Sequence, residues 1–223
     1  MKNKRRLTAI AAEISFKRMA DIGSDHAYVP ILAARRGRIT RAAACDINAA
    51  PLERAAENIG ACGLSEIIET RSGFGLTPLF DFLPETIVIA GMGGRLIISI
   101  LSGEPEITGG ALQLVLQPQR HVPEVRKYVR SIGFEIANEV MVCEHGQYYF
   151  ILNCIRADRL EEYSETDYLY GKVLINRRDP ILKQYLKERA EKFLKILPNI
   201  ANDTEYLRVS AMINTMEDII KCL

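Results

Sequence analysis

The sequence predicts an α/β fold in which a mostly parallel sheet is closed at one edge by an antiparallel hairpin and followed by a C-terminal antiparallel pair of helices. Three observations carry this. From Arg18 to Ile132 short aliphatic runs alternate with helical segments, the order of a parallel sheet covered on both faces. Two longer strand-like runs, Phe134 to Cys143 and Tyr148 to Ile155, are separated only by Glu144–His145–Gly146–Gln147, as in a hairpin. Beyond Arg156 the apolar residues adopt helical spacing instead.

Each element has its own signal. Residues 7–15 read as a short helix and Arg18 to Ile22 as a buried strand ending near Asp21. Ala27 to Arg36 then reads as a helix, Ala42 to Ile47 as a strand, Ala49 to Cys62 as an alanine-rich helix and Ile67 to Arg71 as a strand. Thr86 to Ala90 and Leu112 to Leu116 are aliphatic runs too short for helices, hence buried parallel strands. Helices follow at about Gly93 to Leu101 and Pro123 to Ile132. After a polar stretch, Asp158 to Asp167, Pro180 opens a helix that Pro198 stops, and a second runs from Asp203. Their apolar stripes suit an antiparallel hairpin. The expected division is a catalytic domain at residues 1–157 and a helical hairpin at 158–223.

Composition narrows the function. No apolar run reaches the ~20 residues of a membrane span, and Met1 to Ala12 lacks the apolar centre of a signal peptide, so the expected location is the cytoplasm. Five cysteines without a C-x-x-C pair suit neither a disulfide framework nor zinc, and no metal is expected. A formal net charge of +1 confines any nucleic-acid contact to a local patch. Residues 1–40 offer one: Lys2, Lys4, Arg5, Arg6, Lys17, Arg18, Arg35, Arg36 and Arg38 stand against Glu13, Asp21 and Asp25. That cluster reads equally as a solvated face.

Ligands of open α/β sheets bind at the carboxyl ends of the strands. At the first such end, Asp21–Ile22–Gly23–Ser24–Asp25–His26, Gly23 permits close backbone approach and the following helix start offers N–H groups. A dinucleotide enzyme would carry G-x-G-x-x-G here. Asp25 stands where its second glycine would fall, and a carboxylate there repels pyrophosphate but tolerates a cationic sulfonium. Asp46 at the second strand end is placed for ribose hydroxyls, or simply caps the next helix, a task Asn48 could also perform. The glycines of Ala90–Gly91–Met92–Gly93–Gly94–Arg95 read as close approach to a ligand or as a turn chosen for geometry. At the fifth strand end Gln117 is suited to a base edge and Arg120 to a phosphate, while Pro118 would stop the strand.

With these residues in view, the chain resembles the bacterial TrmK family, tRNA methyltransferases acting on N1 of adenine 22. The resemblance rests on D-I-G-S-D-H-A-Y-x-P (Asp21 to Pro30), I-A-G-M-G-G-R-L-I (Ile89 to Ile97) and L-x-L-Q-P (Leu114 to Pro118). Arg5 to Ala11, Gly146 to Tyr149 and the C-terminal helices support it, so it spans nearly the whole chain. It implies a Rossmann-like class I methyltransferase sheet with a coiled-coil-like extension, S-adenosylmethionine as cofactor and tRNA as substrate. Implied cofactor contacts are Asp21, Gly23, Ser24, His26, Asp46, Ile47, Gly73, Phe74, Ala90, Gly91, Met92 and Gly93. Asp25 is the implied catalytic carboxylate. Implied tRNA contacts are Arg5, Arg6, Gly94, Arg95, Gln117, Arg120, Arg177 and Arg178. Two departures stand out: Phe74 replaces a polar residue of the family pattern, so a contact to the cofactor's adenine is lost or becomes stacking, and Asp46 stands where relatives carry Glu.

The expected chemistry is in-line displacement, with Asp25 stabilising the cationic product and Gly91 to Gly94 shaping the pocket floor. No N-P-P-Y/F-like tetrad follows the fourth strand, which suits a ring nitrogen better than an exocyclic amine. Two alternatives predict different behaviour: a small-molecule methyltransferase, active without RNA, and a non-catalytic RNA-binding protein, which binds both ligands without turnover.

Overall fold

The computed structural model describes residues 5–223; Lys2 and Lys4 of the basic cluster lie outside them. Helix α1 (Arg5–Glu13) leads into strand β1 (Arg18–Ile22), α2 (Tyr28–Arg35), β2 (Arg41–Asp46), α3 (Ala49–Ala61) and β3 (Ile68–Ser72). The second half of the sheet is β4 (Thr86–Met92), α4 (Gly94–Gly103), α5 (Pro105–Gly110), β5 (Gln113–Pro118), α6 (Val122–Ser131), β6 (Phe134–Glu144) and β7 (Gln147–Arg156). Four further helices end the chain: α7 (Glu165–Tyr170), α8 (Lys172–Asn176), α9 (Pro180–Ile196) and α10 (Asp203–Cys222).

The seven strands are ordered β3-β2-β1-β4-β5-β7-β6. The first five are parallel to one another, and β7 runs antiparallel to both β5 and β6. The predicted fold class is therefore the observed one. Strand order reverses between β1 and β4, which leaves a crevice beyond their carboxyl ends.

Alternation along the strands builds the core. Ile87, Ile89, Leu114 and Leu116 are buried with α4–α6 on one face, and Val88 and Val115 with α1–α3 on the other. Three alanines of β2, Ala42 to Ala44, are fully buried.

The hairpin turn is tighter than expected. Glu144 and Gln147 pair, so only His145 and Gly146 turn, both with positive φ (53° and 74°), the conformation of a two-residue turn matched to strand twist. The polar stretch after Arg156 leads into a short helix at Glu165. Ser164 caps α7 through a reciprocal box with Asp167, and α7 and α8 dock on α6 and β6.

That docking centres on a buried ion pair. Arg126 Nε donates to Glu139 Oε1 at 2.7 Å, with side-chain exposures of 0% and 1%. The same guanidinium donates to the carbonyls of Tyr168 and Leu169 and lies over the Phe150 ring. Arg130 binds the Glu161 carbonyl nearby. Met141 and Phe150 then share one apolar cluster with Leu174, Leu182, Leu186 and Met216, so α7–α10 are packed onto the β6–β7 hairpin.

Candidate active site

The crevice holds two cavities separated by Gly23. The first, of ≈ 210 Å³, is lined by Arg6, Asp21, Ser24, Asp25, His26, Tyr28 and Ala90 among others. The second, of ≈ 220 Å³, is lined by Asp46, Ile47, Asn48, Gly73, Phe74, Met92 and Leu96 among others. Gly23 borders both, with φ +73°, and a side chain there would collide with the Met92 methyl that crosses between them.

The β1 loop is tied inward. Gly23 and Ser24 N–H both donate to the Cys45 carbonyl, and Asp25 N–H to that of Gly23. The N–H groups of the turn itself are thus taken up within the loop. What the loop presents is carboxylate, an arrangement hostile to phosphate and suited to a cationic ligand.

Asp21 is nearly buried and accepts from Ser24 Oγ at 2.6 Å. Burial pushes its carboxyl up to about 7, against which the Ser24 hydrogen bond acts only partly. Asp25, in contrast, is 54% exposed at the cleft, paired with Arg54 from α3 and 3.4 Å from His26 Nε2. His26 stacks on Tyr28 at 5.0 Å, giving this cavity a flat aromatic wall. Ala27 between them has φ 54° at the start of α2, a backbone conformation costly without glycine.

In the second cavity, Asp46 Oδ1 accepts from the backbone and side-chain amides of Asn48. Asn48 makes no side-chain cap to α3, so the alternative helix-cap role falls to neither residue. Ile47 and Phe74 are 60% and 53% exposed around this hollow, apolar surface of the kind that a planar ring covers. Cys45 also lines it, but burial and then the Asp21 carboxylate push its thiol up to about 12, which keeps it protonated and poorly nucleophilic.

Beside the first cavity, Arg6 Nη1 donates to Gln117 Oε1 at 2.6 Å and lies over the Tyr149 ring. Gln117 is fully buried, and its Nε2 has no hydrogen-bond partner among the described residues. A buried orphan donor at a cleft edge costs stability unless a ligand supplies the acceptor.

Other expected contacts are dispersed. Gly91, with φ +77°, lies close under Arg6, and Gly93 faces open space. Gly94 is buried against the carbonyls of Arg120 and His121, where any side chain would collide; its role is packing. Arg95 is exposed on the first turn of α4, and Arg5 caps the hairpin tip through its N–H to Glu144. Arg177 binds Asn138 halfway along edge strand β6, away from the carboxyl ends, with Arg178 beside it. Lys17, Arg18 and Arg38 donate to carbonyls of Gly37, Leu83 and Ile14, at the amino-terminal end of the strands, opposite the cleft. The basic cluster is therefore divided, and Arg5 and Arg6 are its cleft-side members.

Sequence reasoning left Tyr28, Arg54 and Tyr149 unassigned. Tyr28 and Tyr149 lie within motifs quoted above, but only the fold shows that they border the cleft. Arg54 gives no local signal.

A family model described as TrmK, tRNA (adenine(22)-N(1))-methyltransferase, matches residues 19–221. The tRNA (adenine(22)-N(1))-methyltransferase of Bacillus subtilis strain 168 is 33% identical over 175 residues, 76% of this chain and 74% of that one. The structure of Streptococcus pneumoniae Sp1610 in complex with S-adenosyl-L-methionine superposes with a TM-score of 0.88 at 30% identity, covering 97% of this chain and 99% of that one. Mycoplasma capricolum TrmK in complex with S-adenosyl-homocysteine gives a TM-score of 0.87 at 25% identity, covering 100% and 99%.

Proposed function

The chain belongs to the TrmK family of tRNA (adenine(22)-N(1))-methyltransferases, and we propose that the crevice divided by Gly23 is where it carries out that reaction. The enzyme transfers a methyl group from S-adenosylmethionine to N1 of an adenine in tRNA. Family membership sets aside the small-molecule and non-catalytic alternatives. Work in the cytoplasm is the reading that a tRNA substrate supports, and among the described residues no helix is long and apolar enough to cross a membrane.

The single observation that carries the site assignment is the pair of cavities meeting at Gly23, one acidic and one partly apolar. Their linings fit the cofactor: an exposed Ile47–Phe74 surface for a planar base, Asp46 Oδ2 for ribose hydroxyls, and Asp21 for a cationic amino group. When bound, S-adenosylmethionine supplies an electrophilic methyl carbon. The protein's own part is alignment and charge. Gly93 leaves open space for approach, the His26–Tyr28 stack gives the target base a wall, and Gln117 Nε2 offers it a donor. Adenine N1 is unprotonated near neutral pH and needs no strong base. Its methylated form is a cation, which the Asp25 carboxylate stabilises. Residues 1–157 supply this chemistry, and Arg5, Arg6, Arg95 and Arg120 hold phosphates, with the helices of 158–223 extending the surface beside them.

Methyl-labelled S-adenosylmethionine and an unmodified tRNA transcript test this. Label is expected in 1-methyladenosine, and is expected to vanish when adenine 22 is replaced by guanine. Label elsewhere in the tRNA would overturn the assignment.

Two binding measurements probe the linings. Phe74→Ala is expected to weaken cofactor binding about tenfold if the ring stacks on a base; unchanged affinity by calorimetry removes the stack. Asp21 sets a pH dependence. Its carboxyl is raised from the ordinary 3.8 to about 7, so between those values the folded chain holds a proton that the unfolded chain has lost. Ligand-free stability therefore falls as pH rises through that window. A cationic amino group needs the ionised form, so cofactor affinity is expected to rise between about pH 6 and pH 8. Asp21→Asn should flatten both profiles, and a pH-independent affinity in the wild-type protein would exclude Asp21 from the amino-group contact.

A further inference from the structure

A third cavity lies where the C-terminal helices meet the sheet. It measures ≈ 350 Å³ and is walled by Tyr148, Phe150 and Tyr185, with Arg120 and Arg189 also lining it. That volume falls within the range of small-ligand sites, ~300–1,000 Å³. We propose that it receives a second nucleotide of the substrate tRNA, a neighbour of the methylated adenine, with its base against the tyrosines and its phosphate on the two arginines. This rests on the tRNA methyltransferase reading above.

The chemistry of the lining selects a nucleotide. Tyr185 meets the Tyr148 and Phe150 rings edge-on, at 5.3 and 5.5 Å between centroids, which fixes its plane. Tyr148 is itself held by a 2.7 Å hydrogen bond to Glu188. A rigid aromatic wall binds a base at little entropic cost. Among the described residues no carboxylate lines the cavity. Arg120 makes no ion pair among the described residues, and Arg189 is steadied by the Tyr185 hydroxyl at 2.9 Å. Cationic side chains beside aromatic rings, with the nearby Glu188 carboxylate taken up by the Tyr148 hydroxyl, suit a phosphorylated, planar ligand better than a peptide.

Continuity with the cleft makes that ligand part of the same RNA. Arg6 lines the methyl-transfer cavity and holds Gln117 through its Oε1, and Pro118 to Arg120 follow Gln117 directly into the wall of the third. The Arg120–His121 turn is clamped to Gly94, whose N–H donates to the Arg120 carbonyl at 2.9 Å. One short rigid connection thus separates the two openings. A target adenine must leave its stack to reach Asp25, and anchoring its neighbour would hold the strand open.

The test places 5-iodouridine at each position flanking the target adenine, one at a time, in a full-length tRNA transcript bound to the full-length protein. Irradiation is expected to crosslink one flanking position to the peptide carrying Tyr148 or Tyr185. In steady-state assays Arg189→Ala and Tyr185→Leu are each expected to raise KM for tRNA about tenfold, with kcat and cofactor affinity unchanged. Thermal melting checks that Tyr185→Leu remains folded, and Arg189, on the exposed side, gives an independent reading. Absence of any crosslink to these tyrosines overturns the proposal even if KM rises, because a phosphate-binding surface alone would then explain the kinetics. Crosslinking needs no turnover, so failure of the wild-type protein to methylate the tRNA would refute the functional reading and leave the pocket to be judged by the crosslink.

Discussion

Replacing Asp25 by Ala is expected to lower kcat by roughly 10²–10³-fold, the usual cost of removing one preorganised charge-stabilising group, while the dissociation constant for S-adenosylmethionine stays unchanged. Methylation at N1 places a positive charge on the adenine as the carbon–nitrogen bond forms. A carboxylate already fixed at the cleft responds to that charge without reorganising. Asp25 is fixed in this way: Arg54 grips Oδ1, and Oδ2 turns toward His26 on the aromatic wall. Its half-exposed side chain is wet until the base covers it, and covering strengthens the interaction by excluding water. Asp25→Asn separates charge from hydrogen bonding, since the amide keeps an acceptor for the exocyclic amine. Near-complete activity in Asp25→Asn would make hydrogen bonding, rather than charge, the contribution. Equal loss of turnover and cofactor binding in Asp25→Ala would refute a role in the chemical step.

The largest effect on stability is expected at Glu139. Removing its carboxylate in Glu139→Ala leaves the fully buried Arg126 charge with only the Tyr168 and Leu169 carbonyls. Breaking one partner of such a pair costs about 3–5 kcal/mol, a fall in Tm on the order of 10 °C for a chain of this size. Arg126 Nη2 and Glu139 Oε2 have no other partners among the described residues, and both face Gly171, where φ is +96° and no side chain fits. The node is thus sterically exacting and imperfectly satisfied. Replacing both partners by apolar residues, as in Arg126→Met with Glu139→Leu, should recover much of the loss. Because the pair anchors α7 to β6, limited proteolysis of Glu139→Ala is expected to cut first between residues 158 and 180. A single-variant loss below about 1 kcal/mol, by thermal or denaturant melting, would show that the packing around Phe150 and Leu182 suffices without the charge pair.

The boundaries of β1–β5 were legible to within one or two residues; β4 and β5 are aliphatic runs that leave few alternatives, and the shorter β1–β3 were marked by their place between helical segments. The long α9 and α10 were legible from their spacing and from the prolines near their ends. Short helices α5, α7 and α8 were missed, since five or six residues carry too little periodicity; only the Ser164–Asp167 box marked α7 locally. At the site, Asp21, Gly23, Ser24, Asp25, His26, Asp46 and Ile47 line the two cavities. Gly94 looked like part of the ligand-binding glycine turn, and is instead the packing surface for the Arg120–His121 carbonyls.

By itself the sequence determined the βαβ order, the acidic β1 turn that disfavours phosphate, and the helical character of the C-terminal segment. These follow from neighbours along the chain: periodicity, turn residues and the charge of one loop. Only the tertiary structure decided that Arg54 grips Asp25, that Arg6 meets Gln117, that the N-terminal basic residues are divided between the two ends of the strands, and that Arg126 is spent on Glu139. Such pairings depend on strand order and on which helix covers which face, and a side chain's partner across a sheet is set by the packing of the whole core rather than by the residues beside it.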